Sequence, residues 1–404
     1  DLGDGRNIVL GDNGEIHVTE GVSFRALSTA RGTGDDDTIT TGAGDDVIIG
    51  GEGADSIAAG EADNFVLGDR GTITGDISDP SAPVHSLVSA YDDRDGDDTL
   101  TTGSAADALD LAILGGGNDH ATMGDGTNIA LGDSGTLDVT VGTGYDLLST
   151  DPGTGGDDSV YGGAGADTVL LGDGNDDAAL FDGANVALGD NGEIHFDIPE
   201  GTLDLWTTSP AIGGDDSITS GYDALFALAG VGADTVRAAG GTNWVMGDNG
   251  RMAFDTEGTV EMRTSDEDLG GNDVIETGSG DDVIIGGTGA DTIDVGNGHN
   301  RGLGDSGSYV LDDTSGTQDG DLVSAYLDSD GADSLTSGAG NDFFILGGDA
   351  DVADLGDGEN RVIGDSGEIH WADTHLTELT TTDTNTGASD TITSGAGADA
   401  ILGG

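Results

Sequence analysis

Apolar residues recur singly in this chain, at fixed intervals. Residues 32–67 divide into four nines: GTGDDDTIT, TGAGDDVII, GGEGADSIA and AGEADNFVL. Position 8 is apolar in each (Ile39, Ile48, Ile57, Val66), position 6 is Asp or Asn, and positions 2 and 4 favour Gly. The frame returns at 153–188, 268–303, 328–363 and 385–402. Three residues centred on position 8 make a minimal strand with side chains alternating between two faces. The six residues between strands, with paired Gly, make a turn that needs positive φ and close backbone approach. Two nines close a coil of 18 residues, so that Asp37 lies beneath Asp55 and Asp46 beneath Asn64. The pattern predicts an all-β parallel solenoid.

With position 8 inward, positions 7 and 9 point outward, and the two sheets differ there. One carries Thr38, Thr40, Ser56 and Ala58; the other carries Val47, Ile49, Phe65 and Leu67. Later copies keep the asymmetry, with Phe226, Leu228, Trp244, Met246, Phe343 and Ile345 on the apolar face. A continuous apolar stripe on stacked coils exceeds the few hundred Å² that a soluble monomer leaves exposed. Either the chain covers it, or another chain packs on it and builds a filament or bundle.

A second period supplies a cover. Seven phrases of the type NVALGDNG place a GDxG box near residues 11, 68, 132, 189, 247, 304 and 364, about every 58 residues. A period of that kind means a repeat architecture. About 21 residues after each box break the nine-residue frame and read as strand–turn–strand, as in EIHFDI, PEG and TLDLWTT at 193–208. These arms are expected to fold over the apolar sheet. Residues 1–404 are expected to form one continuous β-solenoid whose ends cut the repeat, as in a segment of a longer array.

Composition changes this picture in one respect. Asp plus Glu number 80 against 10 basic residues, for a formal net charge of −70, and there are 77 Gly and no Cys. That charge excludes general nucleic-acid binding, which needs a basic footprint, and disfavours anionic membrane surfaces. The absence of Cys removes disulfide and thiol chemistry. No stretch approaches the roughly 18 apolar residues of a membrane span. Such acidity ordinarily prevents compaction, yet the acids sit mainly in ordered Gly-rich turns. Stacked Asp ladders repel unless cations lie between them. Carboxylate and carbonyl oxygens in flexible geometry suit Ca²⁺ better than Mg²⁺.

The nines GGEGADSIA, GGAGADTVL at 162–170 and GGTGADTID at 286–294 fit G-G-x-G-x-D-x-U-x throughout. Here the chain resembles the RTX, or haemolysin-type, calcium-binding nonapeptide repeats, over about two-thirds of its length. The resemblance implies a right-handed parallel β-roll in which each six-residue turn binds Ca²⁺ jointly with the turn one coil above. The candidate ligands are the position-6 residues Asp37, Asp46, Asp55, Asp110, Asp119, Asp158, Asp167, Asp176, Asp216, Asp234, Asp273, Asp282, Asp291, Asp333, Asp342, Asp351, Asp390 and Asp399. Around 96–113 the frame carries extra residues, and Asp98 and Asp107 are alternatives or supplements to Asp110. Leu225 holds the position in SGYDALFAL, so that site is expected to be weak or absent. The seven Asn at position 6 (Asn7, Asn64, Asn128, Asn185, Asn243, Asn300, Asn360) are either ligands through the amide oxygen or hydrogen-bonded ladder residues. The box Asp either ligates the ion or forms an Asx-turn with its own backbone.

Other motifs weigh less. His17, His195 and His370 occupy equivalent GEIH positions but lie far apart along the repeat. GDSG at 132–135, 304–307 and 364–367 lacks a recurring His–Asp partner, and no catalytic centre is expected. The expectation is a calcium-stabilised extracellular structural region: the shaft of a giant adhesin, surface layer or filament, whose partners are calcium and neighbouring copies of itself or of the same long chain. The alternatives are a module binding glycan or ice, or the repeat domain of a larger secreted enzyme or toxin.

Overall fold

The structure is a computed structural model. It describes all residues except 1, 20–22, 30, 77–83, 92–93, 141–143, 313–317, 326–330, 373–374, 383–387 and 404. The contacts divide the chain into two compact units, Asp1–Pro199 and Glu200–Gly404. Each is all-β among its described residues, and each contains three kinds of sheet.

In the first unit, the strands at Thr38–Thr40, Ser56–Ala58, Thr99–Thr101, His120–Thr122, Ser159–Tyr161 and Asp177–Leu180 pair in parallel as a polar sheet. A middle sheet runs in parallel from Ile8–Leu10 to Asn185–Leu188. Stacking follows the 18-residue coil: Asp46 opposes Asn64, and Ile48 opposes Val66. Where an arm intervenes the step lengthens, as at Ala130 opposite Val169. The second unit repeats both sheets, from Ser217–Ser220 to Thr391–Ser394 and from Leu225–Leu228 to Ala400–Leu402.

Position 8 fills the space between these two sheets. Ile39, Ile48, Ile57 and Val66 are buried, as are Ile275, Ile284 and Ile293. Positions 7 and 9 of the polar sheet are exposed, as at Thr38 and Thr40, or half-buried, as at Ser159 and Tyr161. The turns require glycine at close approaches. Gly289 has φ +117°, and a Cβ on it would collide with the carbonyl oxygen of Gly271 one coil below.

The arms are antiparallel hairpins. Gly71–Asp76 pairs with Val84–Ser89, Gly135–Thr140 with Gly144–Ser149, and Gly307–Asp312 with Asp319–Ser324. Neighbouring hairpins also pair, as Ser23–Ser28 does with Gly71–Asp76 and Val260–Thr264 with Gly307–Asp312. A continuous antiparallel sheet therefore lies over the middle sheet of each unit, and a second apolar layer fills the space between them. Phe65, Leu67, Leu228, Met246, Phe343 and Ile345 are buried in that layer, while Phe226 and Trp244 are half-buried. Phe254 meets Phe226 and Trp244 edge-on at 5.0 and 5.2 Å, and Trp371 meets Phe343 at 5.6 Å. The Tyr145 hydroxyl bonds Thr168 Oγ1 across the same gap at 2.6 Å.

Candidate metal centre

The turns on either side of the roll bring the position-6 residues into two columns. One column, the first edge, holds Asp37, Asp55, Asp98, Asp119, Asp158 and Asp176 in the first unit. In the second unit it holds Asp216, Asp234, Asp273, Asp291, Asp333, Asp351 and Asp390. From Asp55 to Asp176, and from Asp234 to Asp390, each carboxylate Oδ1 accepts the backbone N–H of the position-6 residue one coil earlier. The distances are 2.6–2.7 Å in the first unit and 2.7–3.2 Å in the second. Asp98 takes a full place in this column, and Asp110 falls on the opposite one. The extra residues around 96–113 hide this in the sequence. Asp107 is exposed and outside both columns.

The second edge alternates Asn and Asp: Asn7, Asp46, Asn64, Asp110, Asn128, Asp167 and Asn185, then Leu225, Asn243, Asp282, Asn300, Asp342, Asn360 and Asp399. The same backbone-to-carboxylate bonds link Asn64 to Asp110, Asn243 to Asp282, Asn300 to Asp342 and Asn360 to Asp399. The Asn oxygens accept in the same way, from Asp167 N–H at Asn185 and from Asp282 N–H at Asn300. Within each unit the ladder therefore continues through the Asn to the next repeat, as from Asn64 to Asp110 and from Asn243 to Asp282, and the arm is an excursion from it.

Electrostatics separate the edges. Burial raises the first-edge carboxyls, and neighbouring carboxylates add to it. Asp98 is raised to about 9, with Asp119 beside it. Asp333 is raised to about 10, beside Asp305 and Asp291. Asp234, Asp273 and Asp351 are each raised to about 8. On the second edge, burial raises Asp110, Asp167 and Asp282 to only about 6, because hydrogen bonds oppose it, from Thr102 and Asn64 at Asp110, from Asn128 at Asp167, and from Asn243 and Thr277 at Asp282. A buried carboxylate carries a high cost unless it is paired or coordinated.

The box Asp belongs to the first edge, by a route that the sequence does not reveal. The Asp133 carboxylate accepts N–H from Gly156, at 3.3 Å, and from Asp173. Asp248 accepts from Gly271, at 3.1 Å, and from Thr288. Its bonds reach forward to later coils, not to its own turn. The glycines of the box have separate tasks. A Cβ on Gly304 would meet Asp333 Oδ2, and one on Gly307 would meet the Val323 carbonyl of the facing hairpin strand. Two further acids clamp first-edge turns: Glu52 accepts N–H from Gly32, Thr33 and Gly34, and Asp173 accepts from Gly153, Thr154 and Gly155.

The donor set suits a hard cation. Buried Oδ2 atoms of Asp55, Asp98, Asp119, Asp158, Asp234, Asp273, Asp291, Asp333 and Asp351 have no hydrogen-bond partner. Among the described residues no three acidic or imidazole side chains converge as a cluster. A Ca²⁺ ion bound here would be held by carboxylates of successive coils and by turn carbonyls, an oxygen set that suits Ca²⁺ better than Mg²⁺. The GEIH histidines lie elsewhere. His195 sits on the exposed hairpin face between Asp146 (2.5 Å) and Glu193 (3.3 Å), and His17 pairs with Glu15.

Six segments, residues 31–71, 153–178, 226–251, 269–301, 327–362 and 386–404, match the family described as RTX calcium-binding nonapeptide repeat (4 copies). Residues 72–152 lie outside these matches, yet Asp98, Asp110 and Asp119 take ladder positions. No curated protein matches the chain.

Proposed function

Because the chain carries RTX calcium-binding nonapeptide repeats, we propose that it is a calcium-stiffened structural region that works outside the cell, as the shaft of an adhesin, surface layer or filament. The observation that carries this reading is the first-edge column, in which Asp55, Asp98, Asp119, Asp158, Asp234, Asp273, Asp291, Asp333 and Asp351 are buried with an Oδ2 that has no hydrogen-bond partner. Such a column needs a cation at each step, so folding is coupled to metal. Cytoplasm offers little free Ca²⁺, which keeps the charged chain unfolded and ready for export; calcium-rich surroundings make it rigid. The hairpins cover the apolar face, which favours a shaft that ends in its own polar surface over a bundle joined through that stripe.

One observation favours a second reading, a glycan-binding module. A cavity of about 440 Å³ in the second unit is lined by Trp244, Tyr309 and Phe343 with Asp281, His299 and Asn341. Aromatic faces beside polar side chains suit sugar rings. Circular dichroism with calcium and chelator tests the first reading: β-structure is expected to appear with Ca²⁺ and vanish on chelation. An unchanged spectrum would refute it. A glycan array probed with the calcium-loaded chain tests the second.

A further inference from the structure

The two edges of Glu200–Gly404 are equally buried but unequally satisfied. On the first edge Asp234, Asp273, Asp291, Asp333 and Asp351 are at most 2% exposed, and each has an Oδ2 without a partner. On the second edge Asn243, Asp282, Asn300, Asp342 and Asn360 are all 0% exposed, and their carboxylates are saturated. Asp282 Oδ1 accepts the backbone N–H and the Nδ2 of Asn243, at 2.8 and 2.9 Å, and its Oδ2 accepts the Thr277 hydroxyl at 2.8 Å. Asp342 accepts Asn300 N–H at 3.0 Å and the Ser337 hydroxyl at 2.8 Å. Asp399 repeats this with Asn360 N–H and the Ser394 hydroxyl.

Two kinds of donor make the difference: the Thr277, Ser337 and Ser394 hydroxyls hold the Oδ2 atoms, and the Asn amides hold turn carbonyls and, at Asn243, the facing Oδ1. Asn243 Nδ2 has four oxygens around it: the carbonyls of Gly240, Gly241 and Thr277 at 3.2–3.3 Å, and Asp282 Oδ1 at 2.9 Å. Turn carbonyls plus one carboxylate are the oxygen set that Ca²⁺ recruits. Asn360 Nδ2 likewise donates to Gly356 O at 3.0 Å. An amide NH₂ is a donor pair with no net charge, so it satisfies these acceptors where a cation otherwise would. The same edge accommodates Leu225, whose N–H is held by Asn243 Oδ1 at 3.1 Å.

We infer that calcium in this unit is confined to the all-Asp edge, and that on the opposite edge the Asn side chains stand in the cation's place and brace the coils without metal. The roll is then asymmetric, with one edge that responds to calcium and one that is permanently tied. Asn→Asp at a second-edge rung removes the donor pair, lines up successive carboxylates and creates a calcium site.

The inference rests on the calcium reading, and its test separates the two. Crystals of the 404-residue chain soaked with strontium, which scatters anomalously and replaces calcium, are expected to show peaks beside Asp234, Asp273, Asp291 and Asp333. None is expected within ligand distance of Asn243, Asn300 or Asn360. Peaks at the Asn rungs overturn the inference and leave the calcium reading intact; a chain without peaks on either edge fails that reading first. Equilibrium dialysis with calcium gives a second measure. Asn300→Asp is expected to add at least one ion per chain over the parent, and an unchanged count overturns the inference.

Discussion

A single atom distinguishes the rungs of this roll: the Oδ2 of a position-6 Asp is either orphaned, as in Asp291, or held by a hydroxyl, as in Asp342. The frame of nine makes every such Asp visible in sequence, because periodic acid in Gly-rich turns has little purpose in solvent. The frame does not reveal the neighbour that decides an Asp's chemistry. That neighbour lies 18 residues away within a repeat, and 39 or more across an arm, as Asn243 and Asp282 do. Replacement should therefore separate the edges. Asp291→Asn removes a carboxylate with an open oxygen, and calcium affinity follows ligand charge. The midpoint of calcium-induced folding is expected to rise roughly tenfold. Asp342→Asn should move it far less, because a neutral amide accepts the same N–H. Equal shifts in a calcium titration followed by circular dichroism would count against two kinds of edge. The glycines offer a metal-independent check. Gly289→Ala forces φ +117° on an L-residue and drives a methyl into the Gly271 carbonyl. It is expected to cost about 1–3 kcal/mol, read as a lower melting temperature in saturating calcium.

At the scale of elements, strands and arms follow from alternation. Position 8 alone faces the first core, so three residues suffice for a strand, and the outward Phe, Val and Leu on one sheet demand a cover. The strand–turn–strand reading of the arms came from the same period-two logic, and the hairpins follow it. Their pairing with one another was not legible. Hairpin-to-hairpin partners such as Arg263 and Ser308 sit in different repeats, and local alternation carries no information about which repeat adjoins which. The box Asp was hidden for the same reason: its partners, such as Gly156 and Asp173 for Asp133, are brought near only by the full excursion of the arm. Trp371 is the sharpest probe of the layer. It is 2% exposed, lies against Phe343 and Tyr309, and has the Arg301 guanidinium 5.2 Å over its ring. Trp371→Ala is expected to cost about 3–5 kcal/mol. Hydrogen exchange should rise first in Gly367–Ala372 and His375–Thr381, while the ladder amides stay protected. Uniform deprotection would mean that the hairpins are not a separable layer.

For the chain as a whole, the controlling quantity is charge. A formal −70 against 10 arginines leaves two sources of compensation, metal ions or protons, and they predict opposite pH responses. In calcium-free solution the first-edge carboxyls of the folded chain lie far above the unfolded value of about 3.9: Asp234 and Asp351 at about 8, Asp98 at about 9. Folding then takes up protons. The sign follows from linkage: stability of the metal-free fold increases as pH falls through those folded values, and the gain is complete below about pH 4. The usual rule for a salt-bridged acid, stability lost on acidification, is reversed because burial here penalises the charged form. With calcium bound the usual sense returns, since protons compete with the ion for the same oxygens. Circular dichroism of the metal-free chain should show more β-structure at pH 5 than at pH 8, and calcium should be needed far more at pH 8. A β-signal in chelator that is flat or falling between pH 8 and pH 5 would mean that the ladder carboxylates are not what keeps the metal-free chain open.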